Sequence, residues 1–149
     1  MTLTRRKRSD RLLGVLGDYD SVVVITHDTP DPDAIAAGWA VHMLVRKCLD
    51  RPVRLIGGGT VVRAENVHMI RTLDPPIELL NEYAPEAGCA TVLVDCSAEG
   101  ANHLLGDGAV RPVAVIDHHP PTKKAVRIPF RDLRPRAAAS ATILSLIHI

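Results

Sequence analysis

The sequence predicts an α/β domain in which a doubly wound, mostly parallel sheet carries helices on both faces. Short runs of Val, Ile and Leu alternate along the chain with segments whose apolar residues recur at helical spacing. Aromatic residues make up only 3% of the 149 residues, so the core must be aliphatic. Aliphatic strands are typical of a sheet that is buried on both faces. The length suits one domain.

The alternation begins at the start of the chain. We predict a short helix over Arg8–Leu16, and then a β-branched strand over Ser21–Thr26. Apolar residues at helical spacing predict a helix over Ala34–Cys48. The next elements are a strand over Val53–Ile56, stopped by Gly57-Gly58-Gly59, and a helix over Ala64–Leu73, ended by Asp74-Pro75-Pro76.

The second half repeats this pattern. Two apolar runs predict strands over Thr91–Asp95 and Val113–Asp117, and the Gly-containing segment between them allows one helical turn near Ala101–Leu105. A further strand is expected over Ala125–Phe130, and a helix from Ala137 to the end. The pattern over Ile77–Tyr83 does not decide between helix and strand.

The net charge of the sequence limits the kind of nucleic acid that the protein could bind. The 18 basic and 17 acidic residues leave a net charge of +1, too little to hold a long duplex nucleic acid. A nucleic-acid substrate should therefore be short.

The cysteines Cys48, Cys89 and Cys96 form no CxxC pair, which indicates reduced thiols rather than a disulfide scaffold or a zinc ribbon.

No segment of the sequence indicates a membrane protein. The longest apolar stretch, Ala34–Val45, is too short to span a bilayer. The basic residues at 5–8 precede an apolar stretch that Gly14 and Gly17 interrupt, which is too little for a signal peptide. We therefore expect a cytoplasmic protein, and the sequence does not indicate its oligomeric state.

Acidic and imidazole side chains follow three of the predicted strands. They are His27, Asp31 and Asp33 after the first strand, Asp95 after the third, and Asp117, His118 and His119 after the fourth. The carboxyl ends of parallel strands share one edge of a sheet, where ligands bind. We therefore expect four carboxylates and three imidazoles to meet there.

A cluster of this kind predicts a metal site. Carboxylates packed together repel one another, and a bound cation removes that cost. Mixed carboxylate and imidazole donors suit Mn²⁺, Mg²⁺ or Fe²⁺, and the lack of Cys ligands argues against a structural zinc site. So many ligands suit two ions about 3.5–4 Å apart that share one carboxylate. Taken alone, Asp33 could instead be a helix N-cap, and Asp28 is better explained as a turn residue.

Four segments resemble the motifs of DHH-family phosphoesterases. They are His27–Ile35 with its D-x-D pair, Val94–Ser97 at a strand end, Asp117-His118-His119-Pro120, which holds the triplet that names the family, and Ala139–Leu144, a small-residue helix start. The family includes RecJ-like exonucleases, oligoribonucleases that dephosphorylate phosphoadenosine phosphate, cyclic-dinucleotide phosphodiesterases and a class of pyrophosphatases. The resemblance covers nearly the whole chain.

The resemblance implies a role for each matching residue. His27 and Asp31 would bind one metal ion, Asp33 and His118 the other, and Asp95 would bridge the two. His119 would contact the scissile phosphate, and Asp117 would orient the histidines. The cofactors implied are two divalent cations, with Mn²⁺ preferred and Mg²⁺ as the alternative.

The sequence departs from the family at two places. Cys96 stands where Ser or Thr is common, a change from which we expect little effect. The family pattern continues to a further strand ending in Asp and to a smaller substrate-binding domain, which this sequence lacks. We therefore expect residues 1–149 to be a DHH catalytic domain incomplete at its C-terminus, with reduced activity.

Other signals are weaker. Gly57-Gly58-Gly59-Thr60 could cradle a phosphate but is better explained as a turn. Arg63 and Asn66 could contact substrate or cap the following helix. The isolated histidines, His42, His68, His103 and His148, are expected to be structural or exposed.

The predicted function is metal-dependent hydrolysis of phosphoester bonds in small nucleotides or short oligonucleotides, by water that two metal ions activate. Two alternatives stay open. One is a nucleotide-binding module without catalysis, and the other is a manganese-dependent pyrophosphatase.

Overall fold

A computed structural model describes residues 7–106, 110–120 and 127–146 of the chain. Within them, six strands form one sheet in the order β3-β2-β1-β4-β5-β6, and every neighbouring pair is parallel. The strands are β1 Ser21–Ile25, β2 Val53–Gly58, β3 Ile77–Leu80, β4 Cys89–Val94, β5 Ala114–Asp117 and β6 Phe130–Leu133. The helices are α1 Arg8–Leu16, α2 Pro32–Leu49, α3 Ala64–Leu73 and α4 Ser140–Ser145. The predicted α/β class with a parallel sheet is confirmed.

The strand order places a crevice at the centre of the sheet. From β1 the chain continues outward to β2 and β3, and it then returns to form β4 on the other side of β1. At the carboxyl end of β1, Ile25 pairs with Ile56 on one side and with Leu93 on the other. In open α/β sheets, ligands bind at the carboxyl edge where the strand order reverses. That point lies here between β1 and β4.

Two apolar clusters cover the two faces of the sheet. On the first face, Val22, Val24 and Val92 pack beneath helices α1, α2 and α4. On the second face, Val23, Ile25 and further strand residues pack against Cys96, Leu105 and Ile128 from the loops. Residues at successive positions of a strand point to opposite faces, so burial of both faces explains the continuous apolar runs. No described helix is long and apolar enough to cross a membrane.

Strand β2 extends beyond its predicted end. Gly57 and Gly58 continue the strand by pairing with Leu79 and Leu80 of β3, the segment whose type the sequence left undecided. Consecutive glycines indicate a turn, but hydrogen bonds to the neighbouring strand β3 outweigh this local tendency. A Cβ on Gly58 would collide with the Asp28 carboxylate in the loop after β1, so that side chain would have to move.

Three elements of the second half differ from their predictions. The segment at Ala101–Leu105 forms turns around an isolated bridge between His103 and His27, not a helical turn. Strand β6 begins only at Phe130, and positions 125–126 of the predicted strand lie outside the described residues. Helix α4 begins at Ser140, later than Ala137, and residues 147–149 also lie outside the described part.

Candidate metal centre

The polar residues after β1, β4 and β5 meet at the carboxyl edge of the sheet. His27 lies two residues past the end of β1, Asp95 directly follows β4, and Asp117 is the last residue of β5. Asp95 adopts a left-handed backbone conformation with φ of 58°. Its backbone N–H donates to the Ile116 carbonyl at 2.9 Å, which ties the end of β4 to β5.

Asp95 lies at the centre of this cluster and is 2% exposed. Its Oδ2 is 3.6 Å from Nε2 of His27. Its Oδ1 is 3.3 Å from Nε2 of His118. The two oxygens of one buried carboxylate therefore face two different histidines.

On one side of Asp95, His27 and Asp31 complete a group of three. The ligand atoms of His27, Asp31 and Asp95 all lie within 4.8 Å of one another. Nδ1 of His27 donates to the Asp28 carbonyl at 2.8 Å, so Nε2 is the nitrogen that faces the carboxylates. Asp31 is also the N-cap of α2, because its Oδ1 accepts a hydrogen bond from the Ala34 N–H at 3.0 Å.

On the other side, His118 lies between Asp95 and Asp33. Nδ1 of His118 is 3.3 Å from the Ala137 carbonyl, and Nε2 is 3.7 Å from Oδ2 of Asp33. The two oxygens of Asp33 accept hydrogen bonds from the backbone N–H groups of Ser140 and Ala141, each at 2.8 Å. Asp33 thus caps α4, whose own N-cap residue is an alanine, rather than α2.

His119 and Asp117 form a hydrogen-bonded pair beside the cluster. Oδ1 of Asp117 accepts from Nδ1 of His119 at 2.7 Å and from its backbone N–H at 3.1 Å. The His119 side chain is 53% exposed, whereas Asp117 is buried. His119 also forms a second group of possible metal ligands with Asp95 and His118. The buried carboxylate therefore orients a histidine that solvent can reach.

The electrostatics follow from these contacts. The Asp95 carboxylate raises the pKa of His27 to about 9, although burial acts in the opposite direction. Burial acts to raise the pKa of Asp95, but its contacts with His27 and Ser140 outweigh this effect and lower it. The hydrogen bond to Asp117 raises the pKa of His119. Without a metal ion, the Asp95 carboxylate therefore favours the protonated form of His27.

The donor set fits divalent cations. His27 and His118 each turn Nδ1 toward a backbone carbonyl, which leaves Nε2 directed at Asp95. A second hydrogen bond of this kind orients metal-binding histidines in proteins. The donors are imidazole nitrogens and carboxylate oxygens, which suit Mn²⁺ or Mg²⁺. Burial raises the pKa of Cys96 well above its usual range, so the neighbouring thiol stays protonated.

Arg63 and Asn66 are not part of the cluster. Arg63 is the exposed N-cap residue of α3, and its side chain makes no capping hydrogen bond. Asn66 is buried on α3. Among the described residues, no hydrogen bond joins either side chain to the Asp95 cluster, so their contact with substrate stays a prediction.

Sequence reasoning assigned no role to Ser140, which the fold brings to the centre. Its hydroxyl donates to Oδ1 of Asp95 at 2.8 Å, and the residue is fully buried. Its place at the small-residue start of α4 is the only local signal. The contact spans 45 residues of sequence, so only tertiary structure shows it.

Comparison with known proteins identifies one similar sequence. No protein-family model matches the chain. An uncharacterized protein of Methanocaldococcus jannaschii is 31% identical over 127 residues, which cover 83% of this chain and 25% of that protein. The chain thus spans about a quarter of the length of the curated relative that it matches.

Two solved structures resemble the chain in fold. A candidate family II inorganic pyrophosphatase of Methanococcus jannaschii has a TM-score of 0.58 and 24% identity, over 83% of this chain and 37% of its own. An exopolyphosphatase-related protein of Bacteroides fragilis has a TM-score of 0.59 and 17% identity, over 97% of this chain and 44% of its own. The chain therefore shares its α/β fold with part of each of these two larger proteins.

Proposed function

We propose that the protein is a metal-dependent phosphohydrolase whose centre holds two divalent cations on either side of Asp95. The observation that carries this proposal is the position of the Asp95 carboxylate, whose two oxygens face Nε2 of two different histidines at 3.6 and 3.3 Å. One buried carboxylate shared by two ions is the usual arrangement of a two-metal hydrolytic site.

The proposed ligands divide into two sets that share Asp95. His27 and Asp31 would hold one cation, and Asp33 and His118 would hold the other. The distances of Asp31 from His27, 3.8 Å, and of Asp33 from His118, 3.7 Å, support this division. Bound divalent cations supply Lewis acidity and lower the pKa of water, which is the chemistry that phosphoester hydrolysis requires near neutral pH.

His119 is the residue that we assign to the scissile phosphate. Asp117 holds its ring through a hydrogen bond and raises its pKa, which favours the protonated, positively charged form. A protonated imidazole donates a charge-assisted hydrogen bond to a phosphoryl oxygen and stabilises the charge that develops there. The half-exposed ring can reach a substrate in the crevice, whereas the buried Asp117 acts only through His119.

The substrate class that we propose is a small nucleotide or short oligonucleotide, with Mn²⁺ as the preferred cation and Mg²⁺ as the alternative. The net charge of +1 suits a short substrate. A manganese-dependent pyrophosphatase is the second candidate, because one solved structure with this fold is named a candidate family II inorganic pyrophosphatase and another is related to exopolyphosphatases. A nucleotide-binding module without catalysis is the third candidate.

Substrate assays with a matched variant distinguish these functions. The chain is incubated with Mn²⁺ and either a dinucleotide or inorganic pyrophosphate, and release of mononucleotide or of phosphate is measured. The control for Asp95→Asn is Asp74→Asn, because Asp74 shares the left-handed backbone conformation and lies at the end of α3. We expect mononucleotide release that Asp95→Asn abolishes and Asp74→Asn retains.

The other outcomes reject specific parts of the proposal. Phosphate release from pyrophosphate without cleavage of the dinucleotide would favour the pyrophosphatase. Nucleotide binding without turnover of either compound would favour the binding module. Equal activity in Asp95→Asn and Asp74→Asn would reject the two-metal centre.

A further inference from the structure

One short segment, residues 137–141 at the start of α4, contacts three of the proposed metal ligands. Its backbone N–H groups donate to the two oxygens of Asp33 at 2.8 Å, and the Ser140 hydroxyl donates to Asp95 at 2.8 Å. One of its backbone carbonyls accepts a hydrogen bond from Nδ1 of His118 at 3.3 Å. The three ligands come from α2 and from the ends of β4 and β5, so the segment joins distant parts of the chain.

All three contacts lie on the same side of Asp95. The Ser140 hydroxyl reaches Oδ1 of Asp95, the oxygen that faces His118. The other oxygen, Oδ2, faces His27. A carboxylate offers about four lone pairs, so Asp33 can accept the two N–H groups and still bind a cation. The segment therefore supports the cation position between Asp33 and His118, which we name the His118 position.

The cation position on the other side, which we name the His27 position, is held by local contacts. Nδ1 of His27 donates to the carbonyl of Asp28, the next residue, at 2.8 Å. Asp31 accepts from the N–H of Ala34, three residues further along, at 3.0 Å. The geometry of this position therefore depends on the local fold of residues 27–34.

The place of the 137–141 segment depends on tertiary contacts. Helix α4 has only six residues and an alanine as its N-cap, and a helix of that length is too short to be stable on its own in water. Ile143 and Leu144 are buried in the core cluster that also includes side chains of α1 and α2. The Asp33 carboxylate provides the missing cap. Core packing and the metal ligands thus hold α4 together.

We propose that the 137–141 segment is the positioning element of the His118 position alone, so that the second cation binds together with the docking of α4. This inference rests on the proposed two-cation centre and concerns how that centre fills. The His27 position forms from local contacts and binds its cation first. Because coupling between two equilibria is reciprocal, a cation at the His118 position also stabilises docked α4.

Calorimetric titration with Mn²⁺ tests the difference between the two positions. We expect two binding events, of which the weaker belongs to the His118 position. Ile143→Ala removes core packing of α4 and no metal ligand. It should weaken the second event about tenfold, as expected for loss of groups that orient metal ligands, and leave the first unchanged. The matched control is Leu12→Ala, since Leu12 is an isomeric, fully buried side chain of the same cluster on α1. It should leave both events unchanged.

Hydrogen–deuterium exchange measures the same coupling on the unmodified chain. Mn²⁺ sufficient for the first event only should leave the exchange of the α4 amides unchanged. Saturation of the second event should slow exchange in α4 by a larger factor than in α1, whose residues contact no proposed ligand through the hydrogen bonds described above. This measurement does not depend on how well a variant folds.

Three results would overturn the role of the segment and retain the two-cation centre. These are equal weakening of both events in Ile143→Ala, an equal loss in Leu12→Ala, or slower exchange in α4 already at the first event. Binding of a single Mn²⁺ by the unmodified chain would instead reject the two-cation centre, and with it the proposed order of filling.

Discussion

The hydroxyl of Ser140 donates a 2.8 Å hydrogen bond to Oδ1 of Asp95, and both residues are buried. The contact joins the first residue of α4 to the end of β4. The hydroxyl orients the oxygen that also faces His118. Groups that orient metal ligands in this way contribute strongly to metal affinity.

The Ser140 hydroxyl should therefore be needed for full metal affinity. Ser140→Ala is expected to lower Mn²⁺ affinity about tenfold, the lower end of the range for such partners. Ser140→Thr, which keeps the hydroxyl, should restore most of that affinity. Calorimetric titration measures both, with Ser145→Ala as a control, since the Ser145 hydroxyl donates to the Thr142 carbonyl of its own helix. Unchanged affinity in Ser140→Ala would contradict the positioning role.

Asp95 itself should be the most sensitive ligand, because it faces both histidines. Asp95→Asn keeps the side-chain shape and the left-handed backbone tolerance but removes the shared charge. We expect Mn²⁺ affinity to fall more than tenfold, equivalent to about 1.4 kcal/mol or more. Asp74→Asn, with φ of 47° at Asp74 against 58° at Asp95, should bind like the unmodified chain. Equal titrations of the two variants would eliminate Asp95 as the bridge.

Metal binding should release a proton near neutral pH. The pKa of His27 is raised from 6.5 to about 9 by Asp95, so the metal-free ring is protonated at pH 7. A cation at Nε2 must displace that proton. Mn²⁺ affinity should therefore rise with pH between about 7 and 9 and level off above the pKa of His27. Calorimetry in buffers of different ionisation enthalpy measures the proton release, and His27→Gln should abolish the share that comes from His27.

An ion pair whose carboxylate is buried should dominate the stability of β6. Asp132 is fully buried and accepts two hydrogen bonds from Arg134, at 2.9 and 3.0 Å, and one from Arg8, at 2.6 Å. Breaking a buried pair costs about 3–5 kcal/mol. Arg134→Ala should cost about 3 kcal/mol, the lower limit, because Arg8 still contacts the carboxylate.

Urea denaturation measures that loss of unfolding free energy. The matched control is Arg54→Ala, which removes an equally well-formed pair with Glu78 whose two side chains are 46% and 47% exposed. Such surface pairs contribute about 0–1 kcal/mol. A similar loss in both variants would show that burial of Asp132 does not control the energy of this pair.

The elements predicted best were those with strong local signals. Helices α1 and α3 have the predicted bounds, and β1 and β4 lie within two residues of theirs. The predictions were poorer where neighbours decide the structure. Gly57 and Gly58 belong to β2 only because β3 pairs with them, and α4 begins at Ser140, where Asp33 from α2 provides its cap.

The sequence by itself determined the α/β class and the meeting of His27, Asp95 and His118 at one edge, because apolar runs followed by polar residues are local patterns. Tertiary structure alone decided that Ser140 bonds Asp95 and that Asp33 caps α4. It alone also formed the bridge between His27 and His103. These relationships join residues far apart in the chain, and their energies depend on burial and distance, which no local pattern encodes.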